Sequence, residues 1–465
     1  MHATLQQLQQ ALSSAVMTED VAITGLTTDS RKIQPGDLFV ALRGEHFDAH
    51  DFLPQVVQSG AAAVIAEQLP PAFKLPALIV PDTKKALAEA GRYWRQQFTL
   101  PVIGVTGSNG KTTVKEMISA ILAEAFGASH RLATTGNLNN EIGVPLTMKQ
   151  LSAEHRAAVI EMGMNHPGEI AVLASVALPT VVLVNNAQRE HQEFMQNVRA
   201  VAEENGAAIR ALPADGIAVF PLADDYADLW RAYARESGQR KVLTFGLTPD
   251  ANVSATFNPD VFGSRIQFNI NGSSGDVFLQ AAGQHNVLNA LAAVACCHAI
   301  GIAMPVIVRG LENFHPVNGR LQRKAAICGA ALIDDTYNAN PDSVRAAIDV
   351  LHQIGGSTVL VLGDMGEVGE NGADFHAEIG SYAKARGVQE MFLLGDLVRY
   401  TAMTFSGARH FDNLNDLLLA LDASLKRDQT VLIKGSRFMK MERVVAHLQG
   451  GSDQIFTTPD TIGIH

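Results

Sequence analysis

Hydrophobic and polar positions along the chain fall into three blocks of strand–helix alternation. In the first, residues 1–98, an amphipathic helical pattern over Met1–Val16 precedes apolar runs at Leu38–Leu42, Ala62–Ala66 and Ala77–Val80. The runs predict strands, and Phe52–Ser59 and Thr83–Phe98 predict helices between them. In the second block, 99–312, strands are predicted at 101–106, 157–161, 180–185 and 217–220, and helices at 112–125, 167–177, 197–211 and 285–300. Between 251 and 281 the helical period is lost. Alternation through Arg265–Asn271 and Gly275–Gln280 predicts a hairpin turning on Asn271-Gly272. The third block, 313–465, repeats the alternation, with strands at 330–334, 358–362, 390–394 and 430–433 and helices at 341–354, 373–386, 413–426 and 438–448. Such alternation predicts parallel sheets covered by helices on both faces, hence a three-domain α/β protein.

Length and composition narrow this picture. A chain of 465 residues is too long for one core, which agrees with three domains. The formal net charge of −11 argues against nucleic acid as a partner. Cys296 and Cys297 are adjacent and Cys328 stands alone, so neither a disulfide framework nor a metal spacing is present and a reducing compartment is expected. Met1–Val16 lacks the basic start of a signal peptide. No apolar run reaches the roughly 20 residues that span a bilayer, so no membrane insertion is expected. A cytoplasmic globular protein follows.

The chemistry begins at Thr106-Gly107-Ser108-Asn109-Gly110-Lys111-Thr112-Thr113, between an apolar strand and a helix start. Glycines let backbone N–H groups turn inward around phosphate oxygens, and the helix N-terminus adds positive potential. Lys111 would reach the β- and γ-phosphates and Thr112 would ligate Mg²⁺. The strict phosphate-loop pattern has glycine where this chain has Val105. Ligands of open α/β sheets lie beyond the carboxyl ends of strands. There the predicted strands present Glu161, then Asn185-Asn186 with His191 shortly after, so a carboxylate and an imidazole would converge on the phosphate side. Glu161 reads as a metal ligand or a helix-capping carboxylate, and His191 as a ligand or a hydrogen-bonded loop group. The loop with Asn137, Asn139 and Asn140 is either dense turn chemistry or a polar ligand surface. Thr28-Asp29-Ser30-Arg31 is either an anion or sugar contact or a capped turn with a surface ion pair. Asn286 and Asn289 share one helix face. In the third block three of the four strands end in charged or amide-rich loops, at Asp334–Pro341, Gly363–Glu367 and Lys434–Arg437, which resembles a second ligand wall.

Together these motifs resemble the Mur ligases of peptidoglycan synthesis, over all three blocks. Thr106–Thr113, Asn137–Asn140, Glu161-Met162-Gly163, Asn286 with Asn289, Gly319-Arg320 and Lys434–Arg437 occur in that family's order. Asn137–Leu146, Asp335–Pro341, Gly363–Met365 and the N-terminal Asp29–Arg31, Pro35–Leu42 and Asp48–His50 are similar to the members that join D-alanyl-D-alanine to UDP-N-acetylmuramoyl-tripeptide. The resemblance implies a small N-terminal α/β UDP-binding domain, a central P-loop-type, mostly parallel sheet flanked by helices, and a Rossmann-like C-terminal α/β domain that closes on ATP. It implies ATP and Mg²⁺ as cofactors and an acyl-phosphate route to the new amide, in a chain acting as a monomer. By position Lys111 would hold the γ-phosphate, Thr112 and Glu161 the first Mg²⁺, and His191 a second metal. Arg320 would reach the γ-phosphate and Asp335 the ribose, with Asn286 and Asn289 on the adenine side. Gly107, Ser108, Asn109, Gly110 and Thr113 would complete the nucleotide loop. Ser30, Arg31, Asn137, Asn139 and Asn140 would hold the UDP-sugar end. Asn338, Asn340, Lys434 and Arg437 would line the dipeptide side.

One departure bears on the metal chemistry. Many Mur ligases carry a carbamylated lysine on the helix after the histidine loop, and by register that position here is Asn205. An amide cannot be carbamylated, so either the second Mg²⁺ has fewer protein ligands or Glu204 substitutes. Other readings compete. A folylpolyglutamate synthase shares the phosphate loop but should lack the UDP-binding block, and another Mur ligase would differ in its substrate motifs. A plain kinase or ATPase leaves the third block unexplained. A non-catalytic nucleotide-regulated protein is expected to have lost Lys111 or Glu161.

Overall fold

The computed structural model describes residues 1–44, 47–238 and 240–451. The first sheet has the spatial order Val16–Met17, Ala77–Ile79, Ala63–Ala66, Asp37–Val40, Gly25–Thr27, all neighbours parallel except the first pair. Leu5 and Leu8 of the helix Leu5–Ala11 and Leu87 and Ala90 of the helix Thr83–Arg95 pack on it. The N-terminal helix is shorter than its amphipathic pattern predicts. A Thr4–Gln7 capping box starts it, and the chain leaves the helix at Leu12, with Ser14 in the left-handed region at φ 59°.

The central sheet is nine-stranded among the described residues. From one edge its order is Ser273–Leu279, Gly263–Ile270, Val253–Asp260, Lys241–Gly246, Ile217–Pro221, Val181–Val184, Val102–Thr106, Ala157–Glu161, Arg131–Ala133. The last seven are mutually parallel. Strand period two sorts the buried residues between the faces. Ile103, Val105, Val159 and Leu183 meet the helices Lys111–Phe126 and Gln284–Ala299. Val102, Ala158, Ile160 and Val182 meet Glu169–Ala177, Val198–Arg210 and Ala227–Arg235. Cys296 and Cys297 lie wholly in the first of these cores, whereas Cys328 is exposed. The expected hairpin is present, and Asn271 (φ 50°) and Gly272 (φ 82°) both take the left-handed conformation its two-residue turn needs.

The third sheet has the order Gln322–Ala325, Ala331–Asp335, Gln429–Lys434, Ser357–Gly363, Glu390–Leu394, Arg409–Phe411, with the first strand antiparallel to the other five. The three strands whose loops carry the polar motifs are therefore adjacent, and those loops form one rim. The helix expected at 438–448 begins later, at Glu442, because Arg437–Met439 forms a 3₁₀ turn and Lys440 turns left-handed at φ 50°.

Candidate active site

The strand Val102–Thr106 lies between those ending in Glu161 and in Val184, so Thr106–Thr113 emerges at the centre of the rim. Gly107 (φ 131°) and Gly110 (φ 83°) hold conformations closed to side chains. A Cβ on Gly107 would lie 2.9 Å from the Asn185 amide nitrogen, and one on Gly110 2.5 Å from Asn289 Oδ1. The loop is stitched to its neighbours. The Asn109 amide donates to Asn186 Oδ1 (2.8 Å), the Ser108 amide to the Asn186 carbonyl (3.1 Å), and Asn185 Nδ2 to the Asn109 carbonyl (2.8 Å). The amides of Lys111, Thr112 and Thr113, in the first helical turn, have no intrahelical acceptor, the arrangement that suits an anion.

Around this turn the charged groups are interlocked. Thr112 Oγ1 donates to Glu161 Oε1 (3.1 Å) and accepts from Arg320 Nη2 (2.8 Å). Asn139 Nδ2 also donates to Glu161 Oε1 (2.8 Å). Glu161 is 2 % exposed, and its Oε2 is buried with no hydrogen-bond partner among the described residues. A buried carboxylate oxygen without a donor, next to a hydroxyl and a phosphate cradle, suits a hard cation with oxygen ligands, so the residues fit Mg²⁺. Arg320 stacks over Tyr337 (4.1 Å), and its Nε is likewise buried without an acceptor among the described residues.

Lys111 Nζ sits 2.8 Å from Glu190 Oε1 and donates to the Gly107 and Ser108 carbonyls. Burial opposes ionisation of Glu190, but Lys111 and His191 outweigh it and hold its carboxyl below the usual range. His191 Nε2 lies 3.5 Å from Glu190 Oε1. Its Nδ1 lies 2.7 Å from Glu367 Oε2. Burial disfavours the imidazolium, but the two carboxylates prevail and push its pKa up to about 9. The loop pays for this with a left-handed His191, at φ 49°.

Other expected residues are present in different employment. Asn286 donates to the Ala282 carbonyl (2.8 Å). Asn289 donates to Asn286 Oδ1 (3.1 Å) and accepts from Asn185 (2.9 Å), so the pair braces the loop from behind. Asp335 accepts from Lys434 Nζ (2.6 Å) and the Leu321 amide (3.1 Å). Lys434 is buried in that contact, where the sequence suggested an open ligand wall. Asn340 caps the helix Pro341–Ile354 and reaches Asn109 Oδ1 (2.9 Å), Asn338 Oδ1 accepts from the Ala339 amide (2.9 Å), and Arg437 is exposed. Asn140 caps the turn at Gly143 (2.8 Å), and Asn137 is exposed. Ser30 and Arg31 form the capped turn: Asp29 binds the Arg31 guanidinium at 2.9 and 3.0 Å.

Asn205 is 1 % exposed. Its Oδ1 accepts from the Gly107 amide (2.9 Å) and the Thr106 hydroxyl, and its Nδ2 donates to the Val201 carbonyl (3.1 Å). Glu204 caps the helix Glu169–Ala177 through the Gly168 and Ile170 amides, both 2.8 Å, which removes it as a substitute metal ligand. Residues the sequence did not single out are Glu190 and Arg189. The Arg189 guanidinium binds Asp342 (2.6 Å) and Glu378 (2.7 Å) of the third domain.

Comparison with known proteins agrees with this architecture. Residues 22–95 match the Mur ligase family catalytic domain, 105–297 the Mur ligase middle domain, and 319–437 the Mur ligase glutamate ligase domain. The chain belongs to the Mur ligase family. A UDP-N-acetylmuramoyl-tripeptide–D-alanyl-D-alanine ligase of Escherichia coli (strain K12) is 39 % identical over 450 residues, covering 96 % of this chain and 98 % of that one. Among solved Mur ligase structures, MurF from Acinetobacter baumannii superposes with a TM-score of 0.91 at 34 % identity, over 97 % of this chain and 99 % of that one. MurF ligase from Thermotoga maritima in complex with ADP superposes with a TM-score of 0.83 at 27 % identity, over 92 % and 97 %. This Mur ligase is thus an ATP-dependent ligase with the family's three-domain fold. Among the described residues, no helix is long and apolar enough to cross a membrane.

Proposed function

We propose that the enzyme joins D-alanyl-D-alanine to UDP-N-acetylmuramoyl-tripeptide, in the cytoplasm and as a monomer, forming the pentapeptide precursor with ADP and phosphate. The observation that carries this reading is the meeting of Lys111, Thr112, Glu161 and Arg320 at one helix N-terminus, supplied by two domains.

A carboxylate is a poor electrophile, so it is first phosphorylated by ATP, and the dipeptide amine then displaces phosphate from the acyl phosphate. Two polyanions must approach each other, which demands cations at the developing charge. In this reading residues 99–312 bind ATP. Lys111 leaves Glu190 for the γ-phosphate, and Arg320 leaves Thr112 for the same group. Thr112 and Glu161 would hold Mg²⁺, which would supply positive charge against the phosphates. Residues 1–98, with Ser30 and Arg31, hold the UDP end, and residues 313–465 carry Arg320 and the dipeptide side. Contact of the third domain with the loop excludes water from the acyl phosphate.

The deciding experiment is phosphate release from ATP with each substrate alone and with both. Release that requires both is expected. Release that is indifferent to either would overturn the reading.

A further inference from the structure

We propose that Glu190 is a ligand of a second divalent cation, shared with His191 and the carboxylate being activated, and that it supplies the negative charge Asn205 cannot. The inference rests on the ligase reading above. The two positions the sequence pointed to, Asn205 and Glu204, are engaged elsewhere. Both polar atoms of the Asn205 amide are engaged, with Gly107, Thr106 and Val201, and both oxygens of Glu204 cap a helix. Glu190 is different. Its Oε1 faces Lys111 and His191, while its Oε2 is closed to solvent and has no hydrogen-bond partner among the described residues.

The spacing suits a shared cation. Two neighbouring ligands of octahedral Mg²⁺, each at about 2.0–2.1 Å, lie about 3.0 Å apart. Glu190 Oε1 and His191 Nε2 are 3.5 Å apart, so a small side-chain adjustment brings both into range. The remaining positions fall to phosphate, the substrate carboxylate and water, as is usual for Mg²⁺.

Lys111 makes the site conditional. Its ammonium lies 2.8 Å from Glu190, and a γ-phosphate would compete for it. Glu190 then loses one of its two counter-ions in a place where an unpaired carboxylate is strongly disfavoured. A divalent cation restores the balance, and the His191 imidazolium releases its Nε2 proton to solvent in order to bind it. The second cation therefore follows nucleotide, and Lys111 and the cation exchange places on one carboxylate.

The test is Mn²⁺ titration of the full chain, read by the electron paramagnetic resonance of free Mn²⁺, with a β,γ-methylene analogue of ATP and UDP-N-acetylmuramoyl-tripeptide present. Wild type is expected to bind two ions, and E190Q only the tighter one. E190D, which keeps the charge on a shorter arm, should bind two with the weaker affinity reduced by about tenfold or more. Two ions of unchanged affinity in E190Q overturn the proposal, as does a single ion in wild type. If E190Q does not fold, unchanged weaker-ion affinity in E190D overturns it. Phosphate release by wild type that still requires both substrates leaves the ligase reading standing in either case.

Discussion

The two interfaces of the central domain are built from different materials. Against the N-terminal domain it presents a close-packed seam along the helix Thr83–Arg95. Gly91 fits so tightly there that a Cβ would lie 2.9 Å from Pro145 Cα. Trp94 Nε1 donates to the Leu151 carbonyl (2.9 Å), and buried Arg95 donates to the carbonyls of Ala177, Leu178, Phe98 and Leu100. Against the C-terminal domain Phe262 packs on the third domain's core, but the contacts at the rim of the site are charges and amides: Arg189 with Asp342 and Glu378, His191 with Glu367, Asn109 with Asn340, Arg320 with Thr112. Opening the first seam would strand a buried guanidinium and several carbonyls. Opening the second exchanges ion pairs for water, which is nearly balanced in free energy. The first seam should therefore resist opening more than the second, as the proposed closure requires.

The largest effect should come from the closing side. R320A is expected to lose about 10²–10³-fold in kcat with little change in the KM for ATP, because the guanidinium meets charge that grows in the transition state. Steady-state kinetics decide it: a large KM change with kcat intact would show uniform binding only. On the fixed side G91V should destabilise the protein by about 1–3 kcal/mol through overpacking against Pro145 and Val176, measured by denaturant unfolding. An unchanged midpoint would mean that this seam yields as readily as the other. R189A should leave the unfolding midpoint nearly unmoved while weakening closure by about 1 kcal/mol, roughly fivefold in the closed population. Small-angle scattering with and without ATP would register that difference.

Acid should act in part on the C-terminal domain. His376 is fully buried, accepts from the Met365 amide at Nε2 (3.0 Å) and donates from Nδ1 to the Gly372 carbonyl (2.7 Å). Burial lowers its pKa, although Gly372 and Asp364 pull the other way. The unfolded chain therefore takes up a proton before the folded one does. Stability is complete above the unfolded value of about 6.5 and falls as pH drops below it. Thermal scans at pH 7 and 5.5 should show a smaller fall in H376Q than in wild type, the remainder coming from groups such as His285, whose pKa burial also lowers. The smallest expected effect is none at all: with Asn205 bracing Gly107, removal of bicarbonate should leave activity unchanged. Clear bicarbonate dependence would refute the register that puts Asn205 at the lysine position.

Strand–helix alternation revealed the three sheets because parallel strands buried on both faces are continuous apolar runs, as Val102–Val105 and Val181–Val184 are. The strand Gln322–Ala325 escaped, since it lies at an edge and reads Gln-Arg-Lys-Ala, with only half-buried and exposed positions. That Lys111, Thr112 and Glu161 come together at one helix N-terminus was legible because they sit at fixed offsets from strand ends. Glu190 and Arg189 were not, as their roles depend on partners far along the chain, Arg189 on Asp342 and Glu378. Lys434, Asn286 and Asn289 were read as facing ligand; their hydrogen bonds to neighbouring loops were not legible, because the partners lie far along the chain or on another turn.

The cysteines offer an optical gauge of these two joints. Burial raises the thiol pKa of Cys296 and Cys297, and both lie in the core behind the phosphate loop, whereas Cys328 is exposed on the moving domain. A chromogenic thiol reagent should therefore colour one equivalent at once and two more only as the central domain unfolds. Domain closure, which leaves that core intact, should be silent in the slow phase. The same cuvette would then separate hinge motion from melting.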